Sequence, residues 1–316
     1  MSNSSNDDGR AFEYAIIMGL QRAISQYRCA NIIVDNAFHE SENAWKRVSS
    51  VVQSNCELAS ESVFDVLINF EPKIVENDAN VLTLQIQPDM AGKTGDVRDI
   101  LIAKTNEKWE IGISAKYNNF AVKHSRISDN IDFGSIWYGV PCSTFYWNTA
   151  RPIFYRLKQY KRQGKKWSEI VDKPTSIYRP LLEAFVNEIK YAYSNNNDIP
   201  KKIMEYLIGK YDFYKTIAIE SEKSTFIQAY NFHKKLNKSA GLVKPLIKIP
   251  AQKLPSKLID FQIIRDTTAE MYLNNGWTLS FRIHNADTYV APTLKFDIRF
   301  IGLPQYIVTV HCGWRR

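Results

Sequence analysis

Two β-rich runs, Asp99 to Lys104 (DILIAK) and Trp109 to Tyr117 (WEIGISAKY), flank the polar turn Thr105-Asn106-Glu107-Lys108. That pattern predicts an antiparallel hairpin. Centring the turn between Asn106 and Glu107 puts Asp99 opposite Ser114 and makes Lys116 its diagonal neighbour. Strand side chains alternate, so Glu110, Gly112, Ser114 and Lys116 share one face while Ile111, Ile113 and Ala115 turn to the core. Two more acids lie just upstream, Asp96 in GDVRD and Asp89 after Pro88. One face thus gathers acids, a serine and a lysine beside a glycine that leaves room for a ligand. These residue types suit metal-assisted phosphodiester hydrolysis. Mg²⁺ takes hard oxygen ligands and needs only one or two carboxylates. The metal polarises the phosphate and acidifies the attacking water, and an ammonium stabilises charge developing on phosphorus. A surface hairpin with merely solvated charges is the plainer alternative.

Several elements must hold this hairpin in place. Phe12, Ala15, Ile16, Gly19, Leu20, Ala23, Ile24 and Tyr27 recur at helical spacing after Asp7 and Asp8, which favour a helix start. At about 100° per residue, Glu13 falls between Leu20 and Ile24, inside the apolar stripe. A lone carboxylate persists there only with a partner, a cation or a metal-bound water; a salt bridge to Arg10 is the alternative. Further helices are expected over Glu42 to Val52 and Ala59 to Val66, and a half-buried strand over Val81 to Gln87. Residues 151–238 read as mostly helical, with breaks at Pro174, Pro180, Asn195 to Asn197 and Pro200. From Gly276 the chain turns to strands. The expectation is an α/β fold, a mixed sheet flanked by helices. Its segments are a catalytic core over 1–150, a helical DNA-binding region over 151–245 and a β-rich C-terminal region over 246–316.

The chain has 316 residues, 45% hydrophobic and 23% charged, which excludes a disordered chain, a collagen-like rod and a disulfide-held mini-protein. With 41 basic and 33 acidic residues the net charge is +8, a balance that favours a polyanionic partner. Lys123, His124 and Arg126 begin a basic tract that continues through Arg151, Arg156, Lys158, Lys161, Arg162, Lys165 and Lys166, interleaved with Tyr155, Tyr160 and Trp167. Between Lys116 and Lys166 the only acids are Asp129 and Asp132, which suits a track for DNA phosphates. A basic helix face without a ligand is the alternative. Cys29, Cys56, Cys142 and Cys312 form no CxxC, so free thiols in a reducing cytoplasm are expected. No signal peptide and no membrane-spanning run of about 18 residues appears. His39, His233, His284 and His311 have no zinc-like pairing, and no GxSxG, GxGxxG or P-loop occurs.

An aspartate heading one strand, a lysine on the next and a glutamate-bearing helix ahead resemble the PD-(D/E)XK nuclease superfamily. The strings GKTGDVRDIL, WEIGISAKYNN, AVKHSRIS and IDFG, with GRAFEYA, LSFRIHNA and LKFDIRFIG, resemble the HaeIII-type restriction endonucleases over most of the chain. The resemblance implies a Mg²⁺-dependent type II enzyme cutting duplex DNA at a short palindrome, GGCC for that family, to leave blunt ends. By position Asp99 matches the superfamily aspartate and Lys116 the lysine; Asp96 is the rival and Asp89 a third. Asp99 and Asp96 are then the candidate metal ligands. Ser114 stands where an acid is expected two residues before the lysine, so Asp96, Glu110 or Glu13 must compensate. Guanine O6 and N7 accept from arginine or lysine; Arg282, His284, Asn285, Lys295 and Arg299 of the tail join segment 151–166 as candidate readers. A palindrome implies a homodimer on DNA, with a monomer cutting one strand at a time left open, and a cognate methyltransferase that protects the host. A structure-specific repair or recombination nuclease and a non-catalytic DNA-binding protein are the rival readings.

Overall fold

Phe12, Ile16, Leu20 and Ile24 recur about a helical turn apart and are fully buried, which fixes the inward face of the first helix, α1 (Ser5–Ile24). The computed structural model describes residues 5–88 and 95–314. Asp89 and residues 92–94 of the GKTGDVRDIL string lie outside the described residues. Tyr27, expected on the α1 stripe, falls past the helix end and is exposed. The helix expected over 42–52 is instead interrupted. α2 (Asn36–Arg47) and α3 (Ser50–Phe70) meet at extended Val48 and Ser49. The reason is capping: Asp35 accepts from Phe38 N at 3.0 Å and Ser49 from Val52 N at 3.3 Å, each satisfying an otherwise orphaned donor.

Strands in chain order are β1 (Ala30–Ile32), β2 (Leu82–Ile86), β3 (Ile100–Lys104), β4 (Glu110–Tyr117), β5 (Ala121–Ser128), β6 (Phe213–Ile219) and β7 (Ser224–Tyr230). They continue with β8 (Leu258–Arg265), β9 (Thr268–Leu273), β10 (Thr278–His284), β11 (Thr293–Gly302) and β12 (Thr309–Gly313). The chain divides into two compact units. The first comprises Met1–Phe120, Lys210–Gln252 and Tyr306–Arg316; the second comprises Ala121–Gly209 and Lys253–Gln305.

In the first unit seven strands run in the order β1-β2-β3-β4-β6-β7-β12. β1 and β2 are parallel, as are β4 and β6, and the other neighbours are antiparallel. α1 packs against α2, α3 and β4. Their shared core takes Val63, Leu67 and Phe70 from α3, Leu82, Leu84 and Ile86 from β2, and Ile100, Ile102, Ile111 and Ile113 from the hairpin. Each such side chain contributes on the order of 1.5–3 kcal/mol by leaving water.

β6 and β7 replace the helix expected up to residue 238. β6 is buried at every position, as a strand covered on both faces is, so its sequence shows no alternation to read. The units also depart from division into consecutive segments at 150 and 245. A parallel β4–β6 pair needs a long crossover, and residues 121–209 all lie within it; residues 253–305 lie between β7 and β12.

The second unit is an antiparallel sheet, β5-β11-β10-β9-β8, accompanied by α4 (Phe133–Tyr138), α5 (Thr144–Arg162), α6 (Arg179–Asn195) and α7 (Ile199–Ile208). Phe185 of α6 seats its ring 4.5 Å from Phe296 of β11 and 5.5 Å from Phe281 of β10. That leaves the opposite sheet face for polar side chains. Among the described residues, no helix is long and apolar enough to cross a membrane.

Candidate active site

The hairpin forms in the expected register, with Ile100 across from Ile113 and Leu101 across from Gly112. One step further, Asp99 N donates to Ile113 O and Asp99 O accepts from Gln87 N, each at 2.8 Å, so its backbone is pinned between β2 and β4. Three donors converge on Asp99 Oδ2: Ser114 Oγ at 3.1 Å, Ala115 N at 2.7 Å and Lys116 Nζ at 3.0 Å. Burial opposes the Lys116 charge, but Asp99 and Glu13 outweigh it and hold the amine above the ordinary lysine pKa.

Glu13 reaches the same place from α1, which rests on β4 through the Phe12–Tyr117 ring contact at 6.0 Å. Its carboxyl is only partly accessible, and burial followed by the Asp99 charge pushes its pKa up to about 8. Lys116, Arg10 and a hydrogen bond from Ser41 Oγ at 3.3 Å pull the other way. Arg10, the partner considered for Glu13, ion-pairs with Glu40 at 2.6 Å and its charge also favours the ionised form of Glu13. Two hard-oxygen carboxylates repel one another beside a single ammonium. Such a donor set fits a small divalent cation, which would relieve that repulsion.

Asp96 and Glu110 belong to a different assembly. Asp96 Oδ1 accepts from Arg98 N at 3.0 Å and Arg98 Nε at 2.8 Å; Oδ2 accepts from Arg98 Nη2 at 2.7 Å and Gln87 Nε2 at 3.1 Å. Four hydrogen bonds occupy both oxygens. Arg98 Nη1 donates to Glu110 at 2.7 Å, and the guanidinium lies 4.0 Å over the Tyr211 ring. Gly112 does not open space for a ligand as expected. A Cβ there would sit 2.0 Å from Arg98 Cδ, so the glycine admits the arginine. Asp96 is therefore committed to a buried cation, whereas Asp99 faces Lys116 and Glu13.

A second acidic group, Glu76, Asp78 and Glu107, brings its oxygens within 4.8 Å of one another. Lys104, its side chain fully buried, donates to all three, and Arg28 donates to Asp78. An ammonium already supplies the positive charge there. Strand alternation also puts Lys104 on the face of β3 opposite Asp99.

In the second unit alternation separates the basic residues of β5. Lys123 turns inward, donating to Tyr206 O at 3.0 Å with its Nζ 3.8 Å over the Tyr206 ring. Burial lowers its pKa to about 8. It is thus no part of an exposed phosphate track. His124 and Arg126 turn outward. Register places Arg126 beside Lys295 and His284 in one row, and His124 beside Asp297 and Arg282 in the next. Asp297 is 4% exposed. Its Oδ2 accepts from Arg299 at 2.8 Å and Arg282 at 3.4 Å, and His124 Nδ1 lies 4.0 Å from Oδ1.

On α5 the tract splits. Arg156 donates to Ser176 O and Lys158 pairs with Asp129. Arg151 lies 4.9 Å over the Trp147 ring, and Lys161 and Arg162 stand exposed in the last turn, where cations complement the helix dipole.

These residues fall within a match of residues 9–304 to the model of the HaeIII restriction endonuclease family. The chain belongs to that family. It is 43% identical over 317 aligned residues to the type II restriction enzyme HaeIII of Haemophilus aegyptius, with 99% of each chain covered. No solved structure matches it. Being homologous to a type II restriction enzyme, the HaeIII-family chain is read as a site-specific deoxyribonuclease with an α/β fold. Sequence reasoning on this HaeIII-family member missed Asp297. The signal was available, since Lys295, Asp297 and Arg299 alternate with apolar residues in LKFDIRF and must share one face.

Proposed function

We propose that this protein is a Mg²⁺-dependent type II restriction endonuclease that cleaves duplex DNA at GGCC to leave blunt ends. The observation that carries the reading is the convergence of Lys116 and Glu13 on Asp99. Asp99 and Glu13 would hold the cation, and Glu13 fills the role of the acid that Ser114 replaces. A bound divalent cation supplies polarisation of the scissile phosphate and acidification of the attacking water. Lys116 keeps its proton and presents it to the charge that grows on phosphorus. Ser114 and Ala115 N hold the Asp99 carboxylate still. The enzyme would act in the cytoplasm, as a homodimer on its palindrome, beside a cognate methyltransferase. Digesting a plasmid of known sequence with Mg²⁺, with and without EDTA, tests this. Discrete metal-dependent fragments ending within GGCC are expected. Retardation without cutting, or cutting that follows junctions, would overturn it.

Cation binding by this pair is expected to depend on pH. Glu13 must lose its proton to bind, so below about pH 8 affinity falls as pH falls, by up to about tenfold per unit. The stability effect runs oppositely in metal-free protein. A carboxyl raised from 4.5 to about 8 contributes stability at low pH that is lost as pH rises through that window. Titrating Mg²⁺ calorimetrically at pH 6, 7 and 8, with Glu13→Gln alongside, checks the first effect, and thermal denaturation of the metal-free proteins at the same pH values checks the second; a flat wild-type binding profile contradicts the assignment.

The outward face of β5, β11 and β10 is the proposed reader, with Arg126, His124, Arg282, Lys295 and Arg299 reaching DNA and Arg151, Lys161 and Arg162 contacting phosphates. Arginine recognises guanine with a two-pronged contact, which requires a fixed guanidinium. Asp297 fixes two, Arg282 and Arg299. Asp297→Ala is therefore expected to reduce discrimination between GGCC and single-substituted sites by about 10–100-fold. Competition binding with both duplexes measures it, and unchanged discrimination would remove this face from recognition.

A further inference from the structure

The first unit contains a cavity of about 1140 Å³ that neither the catalytic residues nor the second unit's sheet accounts for. Its walls include Lys108 of the hairpin turn, Lys210 ahead of β6, and Lys234, Lys235 and Lys238 from the loop after β7. All five are exposed, and the Lys238 charge also acts on the buried Glu71 carboxylate, opposing the rise that burial imposes on its pKa. Trp109 and Tyr211 also line it.

The loop is held in place by two buried acids. Asp212 accepts from His233 N at 2.9 Å and Lys235 N at 2.8 Å. Glu71, fully buried, accepts from Tyr214 Oη at 2.6 Å, from Asn237 N and from Lys238 N at 3.4 Å. Lys234 and Asn237 adopt left-handed backbone, φ 60° and 64°, a conformation that L side chains rarely take and that these anchors enforce. Two buried carboxylates thus hold the backbone of the loop so that its lysines point into one cavity. A solvated surface run needs no such frame.

Glu110 lines the cavity and also shares the face of β4 that carries Ser114. Four residues of strand span about 13 Å, close to four base-pair steps of duplex at about 3.4 Å each. A central cut in a four-base-pair site leaves two pairs on either side, so a duplex lying along β4 would bring DNA beyond the recognised bases to the cavity. We infer that this lysine cavity is a second phosphate-binding site of the enzyme. It takes the sugar–phosphate backbone of duplex DNA flanking the target, irrespective of sequence. The inference rests on the endonuclease reading given above.

The test is binding of the full-length protein without divalent metal to two 30-base-pair duplexes, one with GGCC and one without, across a range of NaCl concentrations. Lys234→Gln/Lys235→Gln/Lys238→Gln is expected to flatten the log–log salt slope by up to about 2.7, at about 0.9 per phosphate contact, equally on both duplexes. Lys234→Arg/Lys235→Arg/Lys238→Arg keeps the charges and the wild-type slope, which separates lost contacts from a damaged loop. An unchanged slope in the glutamine variant overturns the inference, as does a loss confined to the GGCC duplex. If wild-type protein neither cuts nor prefers GGCC, the endonuclease reading fails by itself, while the slope on the duplex without GGCC still reads the cavity.

Discussion

Lys116→Met is expected to slow single-turnover cleavage at saturating Mg²⁺ by about 10²–10³-fold, the usual consequence of removing one preorganised donor from a developing negative charge. Binding to the proposed GGCC duplex should survive, because the phosphate and base contacts proposed for it come from other side chains. Stability should change little. Asp99 Oδ2 keeps its bonds from Ser114 Oγ and Ala115 N, and methionine fills the vacated space. The loss therefore separates from folding and from affinity. One further consequence is specific to this geometry. Lys116 lowers the Glu13 pKa against burial and the Asp99 charge, so its removal should move the pH dependence of cation binding further upward. A lysine that did not face Glu13 would leave that profile in place. Wild-type cleavage by the variant would rule out the amine's role in the chemistry.

The parts of the site visible in the sequence were those governed by a repeating geometry. A polar turn between two β-rich runs fixes a register, and the register places Asp99 against Ser114 and Lys116. The helical repeat likewise exposes Glu13 as a carboxyl on an apolar face. Where the backbone leaves a repeat, residue type alone misleads. Arg98 sits outside any strand, so no alternation predicts that its side chain folds over Gly112 to take Asp96 and Glu110. β6 was hidden because burial on both faces erases its pattern. The grouping of Lys123 with Arg126 failed for the opposite reason. Alternation was available, and it separates an odd from an even position on one strand.

Asp99→Asn and Asp96→Asn should fail in different ways, and the contrast decides which acid leads. At position 99 the amide preserves shape and an acceptor but removes the charge that faces Lys116. Losing about 4 kcal/mol of transition-state stabilisation corresponds to about 10³-fold in rate, so cleavage should fall by at least that much while the melting temperature holds. Glu13 would lose its like-charged neighbour, and its pKa should drop toward the ordinary carboxylate range. At position 96 the substitution leaves Arg98, 6% exposed, with one remaining anion and with hydrogen bonds that an amide cannot all replace. Breaking a buried pair of this kind costs about 2–4 kcal/mol, so the melting temperature should fall by several degrees while the folded fraction still cuts. Thermal denaturation and single-turnover cleavage on both variants measure the two axes independently. Should Asp96→Asn abolish cleavage at unchanged stability, and Asp99→Asn merely destabilise, the cation would belong with the Arg98 cluster. The repulsion between Glu13 and Asp99 would then need another explanation.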